Sequence, residues 1–335
     1  MLGKPRVVLY GAAGHTGRFV AAEIARRGWT PLLTGRDMAK LKPVADRHGA
    51  EARQVEVMDA AGLDRLLVGA DAVINCAGPF GDTAPPLIEA TLQAGIAYLD
   101  VTAEPLVTME VFASYADAAR AAGVVVAPAF GFFGALGDLL ATAAMGDWHS
   151  AERIDLALAL DEWKPTRGSR LAGVRRAGRR VVFADRRLEI HDGTQAAPEG
   201  QWTFPAPFGE QPVLGEFSTV DVVTIARHLD VDAISTWINL APLADLRDPA
   251  TPEPDAGDAS GRSAQQFIFE AVVHRGGEQR HAWAAGRDIY WVTAPLVVEA
   301  AGRILDGRAR TSGMVSAGEL FDAGDFLAAM APHFT

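Results

Sequence analysis

Three glycines, Gly11, Gly14 and Gly17, punctuate the segment GAAGHTG directly after the apolar run Arg6 to Tyr10 and directly before an amphipathic stretch. Glycine permits a tight strand-to-helix turn and lets main-chain N–H groups approach a pyrophosphate, whose charge the amino end of the helix stabilises. Gly11, Ala13, Gly14, His15, Thr16 and Gly17 are therefore the candidate phosphate cradle. The spacing is GxxGxxG rather than GxGxxG, so the strand–loop–helix context carries the reading; the alternative is a tight turn without a ligand.

The second apolar run ends at Thr34, Gly35 and Arg36, which places Arg36 19 residues beyond Gly17. An NAD-specific site would carry a carboxylate near there for the ribose 2′-hydroxyl. A guanidinium suits an adenosine 2′-phosphate instead, and Lys40 adds a second positive charge. The expected cofactor is NADP, with NAD the lesser alternative because Asp37 offers a carboxylate to Arg36 or to a ribose. Asn75, Cys76, Ala77, Gly78 and Pro79 follow the fourth run, where small residues leave room for ribose and nicotinamide.

Other chemistries find less support. Positions four after Tyr10, Tyr98, Tyr115 and Tyr290 are Gly14, Thr102, Ala119 and Ala294, so the Tyr-x-x-x-Lys pair of short-chain dehydrogenases is absent. The 8 histidines show no HExxH or similar spacing, and no metal site is expected. Cys76 has no activating neighbour in sequence and reads as a small buried residue. Asp100 and Glu104 end the fifth run, where either would relay a proton or bind a substrate amine; the competing reading is a carboxylate favoured by the helix start at Pro105. Eight arginines between Arg167 and Arg187 make a positive island, suited to a substrate carboxylate or to the acidic surface of a carrier protein, or simply solvated. Trp163, Trp202, Trp237, Trp283 and Trp291 would wall an apolar pocket or pack a core.

Elements must hold these groups in place. Short β-branched runs alternate with amphipathic stretches over the first 130 residues, the pattern of a parallel sheet with helical crossovers. Strands are expected at Arg6 to Tyr10, Pro31 to Thr34, Arg53 to Val57, Ala72 to Asn75, Ala97 to Val101 and Val124 to Ala127. Helices fit at His15 to Arg27, Met38 to His48, Ala60 to Val68, Thr83 to Ala94 and Pro105 to Ala121. Beyond Asp138 the rhythm turns to strands separated by Gly, Pro and Asp, including Arg153 to Leu160, Arg179 to Phe183 and Ile234 to Leu240. Phe267 to His274 and Gln279 to Ala285 read as a hairpin, Arg247 to Arg262 as an exposed mobile loop, and Thr293 to Asp306 as a helix.

The chain has 335 residues, 31 basic and 42 acidic, for a formal charge of −11, which disfavours a nucleic-acid partner. Hydrophobic cores stop growing near roughly 250–300 residues, so two domains are expected. One cysteine excludes an internal disulfide and fits a reducing, cytoplasmic setting. The opening residues lack a secretory pattern, and the least charged segment, between Arg120 and Asp138, is too short to span hydrocarbon, so no membrane association is expected.

These residues together resemble the saccharopine dehydrogenase-like NADP-binding oxidoreductases, which include saccharopine reductase and trans-acting enoyl reductase relatives. The resemblance rests on YGAAGHTGR from Tyr10, LLTGRDMAKL from Leu32, VINCAGPFG from Val73, AYLDVTAE from Ala97, PAFGFFGALGDLLA from Pro128, PTRGSRLAG from Pro165 and YWVTAPLVVEAAGRILDG from Tyr290. It implies an α/β fold: a Rossmann-type doubly wound parallel sheet (1–137), an inserted mixed α/β, largely antiparallel substrate or dimerisation domain (138–290), and C-terminal helices returning to the first domain (291–335). It also implies hydride transfer from NADPH to a C=N, C=C or C=O bond, with a small or medium organic substrate expected in a cleft between domains and a homodimer as the expected assembly. A non-catalytic NADP-binding sensor and an atypical extended short-chain dehydrogenase are the alternatives.

Overall fold

The computed structural model describes residues 4–335. Two compact units divide them: the first takes in the chain up to Thr102, Val107–Phe132 and Thr293–Phe321, the second Ala103–Leu106, Phe133–Val292 and Asp322–Thr335.

In the first unit strands and helices alternate: β1 (Arg6–Tyr10), α1 (His15–Arg26), β2 (Thr30–Gly35), α2 (Met38–His48), β3 (Glu51–Gln54), α3 (Ala60–Leu67), β4 (Ala72–Asn75), α4 (Phe80–Ala94), β5 (Ala97–Asp100), α5 (Pro105–Ala122) and β6 (Val125–Ala127). All strand pairs are parallel, in the order β6-β5-β4-β1-β2-β3, and the order reverses beside β1. Parallel strands covered on both faces must be apolar on both. Val7, Val8 and Leu9 of β1 and Val73 and Ile74 of β4 are accordingly fully buried. Each such side chain contributes about 1.5–3 kcal/mol of burial energy. Edge strand β3 has no buried residue and begins before the expected Arg53, because its pairing with β2 rather than its own composition fixes its limits.

The second unit holds α6 (Ala135–Met145), β7 (Ala151–Leu160), α7 (Arg167–Arg176), β8 (Arg180–Ala184), β9 (Arg187–His191), β10 (Glu199–Thr203), β11 (Glu210–Gly215), α8 (Asp221–Ile225), β12 (Val231–Asn239), α9 (Ala241–Arg247), β13 (Gln266–Arg275) and β14 (Glu278–Arg287). Its eight-stranded sheet runs β10-β11-β12-β7-β13-β14, with β8 and β9 branching from β12. Only β12 and β7 pair in parallel; the other pairs are antiparallel. The β13–β14 hairpin turns on Gly276 and Gly277, both at positive φ (57° and 81°), the geometry a two-residue turn demands of glycine.

After α10 (Ile289–Leu305) comes a two-residue strand, β15 (Gly313–Met314), which pairs with β6 and makes the first sheet seven-stranded rather than the expected six. No periodicity marks so short a strand. Within the first unit α10 is tied to α1: Glu299 accepts from Arg27 (2.7 Å) and from Arg303 (2.8 Å). Burial alone would raise the Glu299 carboxyl, yet these hydrogen bonds hold it below its ordinary range. The returning segment is shorter than 291–335, because Asp322–Thr335 groups with the second unit, where Thr335 and Ala285 exchange backbone hydrogen bonds beside β14.

Among the described residues no helix is long and apolar enough to cross a membrane.

Candidate functional site

The glycine loop joins β1 to α1 at the carboxyl edge of the first sheet, next to the reversal in strand order, where open α/β sheets bind ligands. Gly11 sits at φ +82°, and its N–H donates to Thr34 O at 2.8 Å. A Cβ on Gly11 would lie 2.7 Å from Ala77 N, and one on Gly17 only 2.2 Å from Gly11 O. Both glycines are thus required by close backbone approach. Gly14 is the N-cap of α1, is exposed and offers no capping side chain. The loop therefore presents an uncapped helix amino end, with the half-buried Ala13, His15 and Thr16 beside it, and these residues fit a diphosphate.

At the tip of β2, Arg36 and Asp37 point to different local roles. Asp37 caps α2, accepting from Lys40 N at 3.3 Å, and its carboxylate faces Lys40 Nζ at 3.5 Å. Arg36 is exposed, has no ion-pair partner among the described residues, and is fixed at its carbonyl by Gln54 Nε2 (3.0 Å). Its guanidinium is available to a 2′-phosphate. Lys40 stands on the same turn but shares its charge with Asp37.

The loop after β4 lies against the glycine loop, as the Gly11–Ala77 approach shows. Asn75 is fully buried; its Nδ2 donates to Thr83 Oγ1 (3.0 Å) and Tyr98 OH (3.1 Å), and its Oδ1 accepts from Ala77 N (2.9 Å). Burial and the Asp100 charge push the Cys76 thiol up, away from the thiolate form. Gly78 is exposed and Pro79 half-buried, at the N-cap of α4.

The two carboxylate candidates part company. Asp100 is 1% exposed and already engaged: Oδ2 accepts from Tyr98 OH (2.9 Å), Oδ1 from Thr102 N (3.0 Å) and Ala129 N (2.8 Å). It has the geometry of a positioning group rather than of a proton donor to substrate. Glu104 is half-buried immediately before α5. The Tyr98 and Thr83 hydroxyls belong to the same network and were not legible as site residues, although Tyr98 and Asp100, two apart on one strand, share a face.

In the second unit much of the arginine island is spent internally. Arg170, Arg176 and Arg179 donate to backbone carbonyls, Arg180 pairs with Glu216, and Arg186 pairs with Asp230 and Asp232. Trp163 is buried, its ring stacked on Phe133 and its Nε1 donating to Tyr290 OH at 3.0 Å. Trp283 is 47% exposed, and the Arg262 guanidinium lies over the Trp291 ring at 4.1 Å. Trp202 and Trp237 pack against a core cluster of Ala157, Ala159, Phe204, Val213 and Ile268.

Residues 7–127 match the family described as "Saccharopine dehydrogenase NADP binding domain". Among curated proteins, the chain is 28% identical over 145 residues to a saccharopine dehydrogenase-like oxidoreductase of Bos taurus, covering 38% of this chain and 34% of that one. It is 30% identical over 140 residues to a protein of Mycobacterium tuberculosis named as a trans-acting enoyl reductase, covering 40% and 33%. The chain thus spans about a third of the length of the curated relatives it matches. Among solved structures, saccharopine dehydrogenase (L-Glu forming) of Saccharomyces cerevisiae shares the fold, with a TM-score of 0.70 over 99% of both chains at 13% identity. Residues 7–127 thus match a saccharopine dehydrogenase NADP binding domain, and over that stretch the chain is similar to saccharopine dehydrogenase-like oxidoreductases.

Proposed function

We propose that this protein is an NADP-dependent oxidoreductase that reduces a C=N, C=C or C=O bond of a small or medium organic substrate. The observation that carries the reading is the pairing of an uncapped, glycine-lined helix amino end with an unpaired Arg36 at the neighbouring strand tip. Bound NADPH would supply the hydride. The chain supplies the rest: the start of α1 holds the diphosphate, Arg36 the 2′-phosphate, and the Asn75–Pro79 loop the nicotinamide ribose. Asp37 caps α2 and faces Lys40 while the Arg36 guanidinium stays exposed, which supports NADP over NAD.

A proton is needed only when an alkoxide or enolate develops. With both Asp100 oxygens engaged, Glu104 is the remaining carboxylate proposed for that transfer.

Titration calorimetry with NADPH and NADH tests the cofactor reading. Arg36→Ala is expected to weaken NADPH about 10- to 100-fold, the worth of a charge-assisted contact, and to leave NADH unchanged. Equal wild-type affinities for the two would remove the argument. Turnover against imine, enone and ketone panels tests the reduction: NADPH binding with none of them reduced would favour a sensor, and Glu104→Gln with full turnover would take the acid role from Glu104.

A further inference from the structure

Asn75, Thr83, Tyr98 and Asp100 form one buried hydrogen-bond chain whose direction can be counted. Both Asn75 amide hydrogens are spent, on Thr83 and Tyr98. Tyr98 therefore accepts from Asn75 and donates to Asp100, while Thr83 accepts from Asn75 and donates to Ala77 O at 2.6 Å. Ala77 is gripped twice, through its N–H by Asn75 and through its carbonyl by Thr83. Ala77 is also the residue whose main chain closes on Gly11. At the far end, Asp100 collects Thr102 N and Ala129 N, and its own carbonyl accepts from Phe130 N at 2.6 Å. One uninterrupted path thus links the loops that end β4, β5 and β6 to the glycine loop.

We infer that Tyr98 is a positioning residue for the nicotinamide half of the dinucleotide site, acting through Asn75 to set Ala77 against Gly11. This rests on the proposed NADP site. Tyr98 is fully buried, so its hydroxyl touches no ligand and works only through this chain. Removing the hydroxyl takes one donor from Asp100 and leaves a buried Asn75 hydrogen without its acceptor, and the loop at Ala77 loses its fixed place. The adenosine 2′-phosphate end, held at the tip of β2, lies outside the path. The consequence is a split between the two halves of one ligand.

The test compares NADPH with adenosine 2′,5′-bisphosphate, which lacks the nicotinamide half, by calorimetry on the full chain. Tyr98→Phe and Thr83→Val are each expected to weaken NADPH about tenfold and to leave the bisphosphate within about twofold, while Thr83→Ser, which keeps the hydroxyl, retains NADPH affinity. Bisphosphate binding also reports that each variant is folded. Unchanged NADPH affinity in Tyr98→Phe and Thr83→Val overturns the inference, as does equal weakening of both ligands, the mark of a merely structural role. Wild-type protein that binds the bisphosphate but NADPH no more tightly overturns the inference alone; wild type that binds neither overturns the proposed function.

Discussion

Two segments of this chain share one spelling and have opposite fates. GAAGHTG follows β1 and opens α1; GFFGALG, from Gly131 to Gly137, follows β6 and opens α6 with the same GxxGxxG spacing. In both, the middle glycine is the helix N-cap without a capping side chain of its own. At α6, however, the Gly134 N–H already donates to the buried Asp221 carboxylate at 2.8 Å. The third glycine differs in purpose as well: a Cβ at Gly17 would strike Gly11 O, whereas one at Gly137 would lie 2.2 Å from Asp221 Oδ1. A helix amino end attracts an anion in either case. Only where the protein does not provide its own is the end left for a ligand.

The sharpest way to break this contrast is Gly17→Ala. Its methyl has no room against a carbonyl of the same loop, so NADPH affinity should fall at least about a hundredfold, with roughly 3 kcal/mol of stability lost to strain and overpacking. Calorimetry and denaturant melts read both, and a variant that binds normally would remove the cradle from the proposed site. Gly137→Ala is the matched control. Displacing Asp221 should cost roughly 2–3 kcal/mol of stability in a melt while leaving NADPH affinity unchanged, because the clash falls on a helix that supplies its own anion. If affinity fell as well, the two loops would not be as separate in role as their geometry says.

A smaller effect sharpens the comparison through pH. Burial pushes the Asp221 carboxyl up to about 7, outweighing the hydrogen bonds it accepts. An acid raised on folding binds more protons in the native state than in the unfolded chain, so its contribution is fully present below the unfolded value near 4 and is lost as pH rises through about 7. Asp221→Asn keeps an acceptor for Gly134 N and cannot ionise. Between about pH 5 and pH 7.5, wild type should lose roughly 2 kcal/mol relative to this variant in urea melts. Parallel stability curves would show that Asp221 does not titrate in that window.

Much of the first unit was legible because its signals are local. β1, β4 and α2 occupy the expected residues, since a buried parallel strand needs an unbroken apolar run and a helix needs its cap, here Asp37. The hairpin at Gly276–Gly277 was legible for the same reason. β15 was not, because two residues paired to β6 carry no period. Nor were the roles of Asp100, Tyr98 and the arginine island. A carboxylate at a strand end reads as reactive until Tyr98, Thr102 and Ala129 are seen to fill its oxygens, and an arginine reads as free until its carbonyl or carboxylate is found.

By itself the sequence determined the alternation of strand and helix, the glycine turns and the small residues that line the carboxyl edge, because each depends on neighbours a few positions away. Tertiary structure alone decided which of two identical glycine spacings stays open. Asp221 is 87 residues from Gly134 in the chain, and no local pattern encodes that meeting. Whether a polar group is satisfied is a property of what folding brings to it, and so of the packed molecule rather than of the spelling.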